Sequence, residues 1–442
     1  MLESLAKIAV YWDQSFLWGL LAYGTLRRLG ADFELLTAAD IRLGRLEDYG
    51  VVFVPGGWAS DKMGALGQKG AARIRSFVEE GGAYLGVCGG AGLALTHASG
   101  LGLAPLGRLP SSVRVPSFSG LIHLDQEDRG HPVWRDIPGG IAFYAWWPGQ
   151  FALDEEAGVK VLARYGQPEE SASFVTDIPV TADSDWDNWE KSYGINLNPA
   201  RLLGEPAVIE TGAGKGKVLL SYLHFETPGD LRGHKVLLNA IGYLSGKRAA
   251  GRAGAEGVWA GAKGAAAEPQ PPSPAAAGAQ KRDSAPAAMP AAALASEIHQ
   301  EIAGLIEFGH QNFLLRWREQ PNLPILVWRR GVRGIEYSTL FAMTAEINRL
   351  AGRFPEVASA GLDRLKALKE MTPSFCADAR RLLLLERLAI SNGPLSPLKS
   401  SDPAIEPLRE KLFSTAMRSG GLYRQIVDTA DEVLLPLLRK GI

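Results

Sequence analysis

Cysteine is almost missing from this chain of 442 residues: there are two, Cys88 and Cys376. That argues against a disulfide framework and makes a reducing compartment the natural setting. Long apolar runs are missing too, and none approaches the ~20 residues of a membrane span. The first residues lack the charged start and apolar core of a secretory signal. They move within a few positions into a strand pattern, Lys7-Ile8-Ala9-Val10-Tyr11. A cytoplasmic protein with no membrane partner is expected. Charge of one sign is also lacking. A formal net charge of −1 gives no electrostatic footprint for nucleic acid. The charge is uneven, about −7 over residues 1–246 and about +6 over 247–442. That asymmetry suits two units as well as ordinary scatter. The length suggests two or three domains with ample core.

Glycine is abundant, with 51 residues, and one glycine-rich stretch organises the rest. In Tyr84-Leu85-Gly86-Val87-Cys88-Gly89-Gly90-Ala91-Gly92 an apolar strand ends, turns sharply and enters a helix. Glycines permit a turn that a Cβ resists. The pattern is that of a nucleophile elbow with cysteine in place of serine. A sulfur there sits at a helix N-terminus, where the dipole favours thiolate. The same residues also read as a small buried cysteine in an ordinary strand–helix turn.

Strands are expected at 8–11, 33–36 and 51–54, with helices at 16–29 and 65–80. Ser15 is the candidate cap of the first helix, and a short helix or turn is expected within 43–49. Wholly apolar strands alternating with helices indicate a doubly wound parallel sheet. Ligands bind beyond the carboxyl ends of such strands. Two glycine turns fall there, Pro55-Gly56-Gly57 and the elbow, and the amides of Gly57 and Gly89 are candidate oxyanion donors. Residues 111–123 read as β-structure. Phe143, Tyr144, Trp146 and Trp147, in a strand-like run, read either as core or as pocket lining. Further strands are expected at 159–165, 207–210 and 218–222. The polar stretch 181–193 reads as a surface loop, since its aspartates lack the glycine and glutamate of a calcium loop. Past the strand at 218–222 comes His224-Phe225-Glu226. If that segment stays extended, both polar side chains point the same way. Glu226 can then orient the imidazole while the imidazole takes a proton from Cys88. A helix at 234–244 closes the unit.

Residues 247–293, built from Ala, Gly and Pro, read as a disordered linker. Residues 294–442 read as an all-helical domain. Helices are expected from Ser296 onward and at 338–353, 361–369, 377–390, 404–417 and 423–438. His299 and His310 read as ordinary helical residues rather than a metal pair or phosphoacceptor. Cys376 reads as core. No cofactor or metal motif stands out.

Cys88 with its glycines, the Pro55-Gly56-Gly57 turn and His224-Phe225-Glu226 resemble the class I glutamine amidotransferase superfamily. Within it, Pro55-Gly56-Gly57, Gly81-Gly82 and the segment 84–91 are most similar to the amidotransferase-like domain at the N-terminus of biotin–protein ligases. The resemblance covers residues 6–246. It implies a flavodoxin-like sheet, Cys88 as nucleophile, His224 as base and then acid, Glu226 orienting it, and Gly57 and Gly89 as the oxyanion hole. Two features depart from it: Gly92 stands where glutamine amidotransferases carry Gln, and no synthase or ligase half is present. The implied function is a glutamine amidotransferase-like amidohydrolase acting on a small-molecule amide or peptide-like substrate. The alternative is a non-catalytic ligand-binding module coupled to a helical domain that engages a protein partner.

Overall fold

The computed structural model describes residues 7–97, 100–115, 117–153, 158–174, 176–181, 185–246, 289–320, 323–400, 402–414 and 420–442. The alternating first part folds as its hydrophobic pattern dictates. β1 (Ile8–Tyr11), β2 (Phe33–Leu36), β3 (Val51–Val54) and β4 (Ala83–Val87) are almost wholly buried and parallel. Helices α1 (Phe16–Arg28), α2 (Ala38–Arg42) and α3 (Ala59–Glu79) make the crossovers, and α4 (Gly89–Ala94) follows the elbow. A short 3-10 turn, Arg45–Asp48, lies in the polar connection. The parallel part of the sheet runs β2-β1-β3-β4 and ends on β13 (Gly216–Ser221), in flavodoxin-like order. Past β13 the sheet continues antiparallel through β12 (Pro206–Ala213), β9 (Lys160–Pro168) and β6 (Phe118–Gln126). β7 (Ala142–Trp146) also pairs with β6, and the short β10 (Ser173–Phe174) and β11 (Ile178–Pro179) extend its other edge. A separate two-stranded pair joins β5 (Gly107–Arg108) to β8 (Phe151–Ala152). α6 (Leu231–Leu244) covers the end of this half.

Several local expectations are corrected. Ser15 stands at the α1 cap position, but its hydroxyl donates to Tyr11 O at 3.0 Å and accepts from Lys62, so it caps nothing. α2 was not anticipated; a reciprocal Thr37–Asp40 capping box starts it. α3 begins at Ala59 rather than 65 and is kinked at Gly67. Residues 111–114 form a turn, and the strand begins at Phe118. The stretch read as a surface loop holds a helix, α5 (Trp186–Tyr193). Asp185 caps it, accepting from Asn188 N, and Gly194 at φ +67° ends it.

The linker expected over 247–293 lies outside the described residues as far as 288. From Met289 the chain is already helical, in α7 (Met289–Gln311). The C-terminal half is helical, with one two-stranded hairpin, β14 (Leu315–Trp317) and β15 (Leu326–Trp328). Its main helices are α8 (Ile335–Arg353), α10 (Leu362–Asn392) and α12 (Gly421–Gly441). A short α9 (Pro355–Ala360) and α11 (Ile405–Phe413) connect them. The two helices expected at 361–369 and 377–390 are one. Leu365, Leu368, Phe375, Cys376, Ala379, Leu382 and Leu383 carry one buried face straight across Pro373. The two halves share a hydrophobic core, and polar bonds cross between them. Trp12 Nε1 donates to Asp431 at 2.8 Å, Arg424 pairs with Asp61 at 3.2 Å, and Trp328 N donates to Thr176 Oγ1 at 2.9 Å. Among the described residues no helix is long and apolar enough to cross a membrane.

Candidate active site

Cys88 follows β4 with φ +51° and ψ −107°, a conformation a side chain rarely adopts. Such a residue costs roughly 1–3 kcal/mol and persists only where its surroundings force it. The forcing is visible. Cys88 N–H donates to Ser221 O on β13 at 2.8 Å. A Cβ on Gly89 would lie 1.6 Å from Gly57 O, and one on Gly90 would lie 1.9 Å from Val54 O. The elbow is therefore wedged against the end of β3, and only glycine fits. Gly57 itself sits at φ +116°. The two glycine turns are in contact through backbone. Neither the Gly57 nor the Gly89 amide has a protein acceptor among the described residues. Cys88 remains partly exposed.

His224 and Glu226 are fully buried, and Nδ1 lies 2.7 Å from Glu226 Oε1. They do not meet as side chains of one extended strand. β13 ends at Ser221, and residues 225–226 form a turn. That turn is fixed from several sides. His224 N donates to Tyr144 O at 2.8 Å, and Thr227 Oγ1 donates to His224 O at 2.7 Å while accepting from Trp146 Nε1. Thr25 on α1 donates to Glu226 O at 2.9 Å. His224 Nε2 closes no hydrogen bond of ordinary geometry, and the neighbour acting on it is the Cys88 thiol. Burial opposes charge on the imidazole. The Glu226 carboxylate and the neighbouring Cys88 sulfur outweigh it, and its pKa is pushed up to about 10. The Trp18 ring lies 4.5 Å from the imidazole between centroids. A Cβ on Gly56 would stand 2.8 Å from that indole.

More groups converge on the sulfur than sequence reasoning found. Lys62 is completely buried beneath the Gly57 turn, bonded to Ser15 Oγ and Asp13 O. Burial drives its pKa down to about 7 against the pull of Asp13, Asp431 and Cys88. Asp431 comes from α12, and burial pushes its carboxyl up to about 7. The C-terminal half thus supplies a titratable carboxyl to the network behind the Gly57 turn. Arg114 and Tyr222 also lie within electrostatic reach of Cys88. None of these had a motif. Lys62 lay ahead of the helix expected at 65–80, and Arg114 fell in a stretch read as β-structure. The aromatic run divides between the two readings left open. Phe143 and Trp146 are core, whereas Trp147 bridges Trp18, 6.1 Å away, and Trp328 of the hairpin, stacked at 5.5 Å.

The remaining candidates lie elsewhere. His299 Nδ1 is 3.2 Å from Thr344 Oγ1, and its ring packs on Phe341. Cys376 is buried in α10 with its thiol pushed up to about 12 by burial. No group of three or more His, Cys, Asp or Glu among the described residues is placed to hold a metal ion.

Residues 47–98 match the profile of a family described as biotin-protein ligase, N terminal. That stretch holds β3, the Gly57 turn, α3 and the elbow. No curated protein matches the chain. Similar solved structures include a protein described as a GMP synthase subunit from Thermoplasma acidophilum, with 14% identity, covering 55% of this chain and 96% of that one, and a TM-score of 0.37. A ThuA-like protein from Bacteroides uniformis is similar at 15% identity over 55% of this chain and 93% of its own, with a TM-score of 0.37. A cytoplasmic protein from Salmonella typhimurium is similar at 12% identity over 54% and 99%, with a TM-score of 0.35.

Proposed function

We propose that this chain is a glutamine amidotransferase-like amidohydrolase that works through a thioester on Cys88, with His224 and Glu226 completing a triad. The observation that carries the reading is an imidazole fixed at Nδ1 by a buried carboxylate, with Nε2 left for the neighbouring sulfur. In the proposed resting pair the proton sits on the imidazole. The sulfur attacks the carbonyl carbon of an amide, and a C–S bond forms. The developing oxyanion is held by the Gly57 and Gly89 amides. His224 gives its proton to the leaving nitrogen, the C–N bond breaks, and the acyl group stays on Cys88. Water, deprotonated by His224, then attacks the thioester. The C–S bond breaks, the acid leaves, and the proton on His224 restores the pair. Glu226 holds the imidazole in one orientation throughout.

Gly92 occupies the position where glutamine amidotransferases carry glutamine. We therefore propose a small-molecule or peptide-like amide other than glutamine as substrate, with any acceptor on a separate chain. Two free cysteines suit a cytoplasmic setting for this chemistry. The test incubates the protein with a panel of primary amides and thioesters and maps acyl mass by peptide mass spectrometry. The expected result is an acyl adduct on Cys88, none on Cys376, and loss of turnover in Cys88→Ala. Turnover that survives Cys88→Ala, or acyl mass on Cys376 alone, overturns the reading.

A further inference from the structure

We propose that the site takes a substrate bearing a carboxylate, which Arg114 holds beside the Cys88 sulfur with the Tyr222 hydroxyl as second donor. This deepens the amidohydrolase reading and rests on it for the role of Cys88.

Three buried polar atoms around the sulfur have no hydrogen-bond partner among the described residues: His224 Nε2, Tyr222 OH and Arg114 Nε. His224 Nε2 belongs to the proposed chemistry. The other two have no work in it. Tyr222 is 2% exposed. It follows Ser221, the residue whose carbonyl receives the Cys88 amide proton. Its ring packs on Phe151 at 4.3 Å, and Phe151 stands opposite Arg108 in the β5–β8 pair. Gly149 lies so close that a Cβ there would meet the Tyr222 ring at 2.4 Å.

The same loop fixes Arg114. Gln150 Oε1 accepts from Val115 N at 2.8 Å, and Gln150 Nε2 donates to Arg201 O at 2.7 Å. Asn196 Nδ2 donates to Arg114 O at 2.8 Å. The backbone of Arg114 is thus anchored on both sides, while its guanidinium makes no ion pair among the described residues. The titratable groups acting on it are Arg108, Tyr222 and Cys88, and none is an Asp or Glu. Buried cations in proteins are paired. Arg409 of the helical half, bonded to Glu386, follows that rule, whereas Arg114 and Arg318 each keep a buried Nε without a partner among the described residues. At Arg114 the missing partner is an anion from outside, and a planar guanidinium suits a carboxylate. A phenolic hydroxyl without an acceptor adds a second donor of the same sense.

Iodoacetate and iodoacetamide test this directly, since they deliver one alkylating carbon with and without a carboxylate. In each case the sulfur displaces iodide, so a C–S bond forms as C–I breaks. The rate of each reagent at Cys88 is measured by peptide mass spectrometry and divided by its rate on a free cysteine peptide. The proposal expects a normalised preference for iodoacetate of about tenfold or more in the full chain. It also expects the iodoacetate rate to saturate with concentration while the iodoacetamide rate stays linear. Arg114→Gln should bring the preference close to unity, and Arg114→Lys should keep part of it. The ratio cancels any change in the reactivity of the sulfur itself. Saturation in the unaltered protein needs no variant to fold. A normalised preference near unity, or one that Arg114→Gln leaves intact, overturns the carboxylate subsite. Equal sluggishness of both reagents at Cys88 and at Cys376 overturns the amidohydrolase reading instead.

Discussion

The two cysteines of this chain lie in regions that treat sulfur in opposite ways. Cys376 sits in the middle of a long helix, buried in an apolar face, with its thiol donating weakly to Glu301 O at 3.8 Å. Burial holds its proton on. Cys88 sits on a strained turn, partly exposed, among His224, Lys62 and Arg114. The guanidinium groups of Arg409 and Arg114 differ in the same way. Arg409 in the helical half bonds Glu386, Gly331 O and Ser396 O, so all its nitrogens are used. Arg114 beside Cys88 leaves a buried nitrogen unbonded. Saturated polar groups hold a fold together, while unsaturated ones around a strained residue mark a place where something else is to bind.

The largest expected difference between the two sulfurs is in labelling. At pH 7.5 native Cys88 should react with iodoacetamide about a thousandfold faster than Cys376, and the gap should vanish in denaturant. Similar native rates at the two sulfurs would erase the distinction. Next in size is a pair of glycine substitutions. Gly89→Ala drives a methyl into Gly57 O and should cost about 3 kcal/mol, read by denaturant unfolding. Gly24→Ala on the exposed side of α1, where nothing lies within 4 Å, should stabilise by about 0.5–1 kcal/mol. A tolerated Gly89→Ala would mean that the elbow is not wedged as described. A subtler probe is the proton on His224. Because its folded pKa is raised, its stabilising contribution is complete below 6.5 and is lost as pH rises through about 10. Cys88→Ala removes one of the raising causes, so imidazole titration followed by nitrogen NMR should move to lower pH. No movement would mean that the sulfur does not act on the ring.

The sequence made the parallel half of the sheet legible because its strands are almost wholly apolar and glycine marks the turns. The elbow was legible for the same reason, since only a few residue patterns allow a side chain at φ +51°. His224 and Glu226 were legible as a pair, but the geometry joining them was not. A turn held by Thr25, Tyr144, Trp146 and Thr227 brings them together, and those residues lie up to about 200 positions away. Lys62 and Arg114 left no local trace, because a buried cation differs from a solvated one only in what the rest of the chain places around it. The β14–β15 hairpin was hidden by brevity, with three residues in each strand.

The central step is the action of His224 on the Cys88 sulfur, and one measurement tests it directly. The alkylation rate of Cys88 by iodoacetamide is measured from pH 6 to 9 in the native protein and in His224→Gln, with circular dichroism confirming that both are folded. The account predicts at least a tenfold slower reaction at pH 7 in the variant, with the two profiles converging toward high pH as hydroxide replaces the imidazole. Superimposable profiles across the whole range would contradict it.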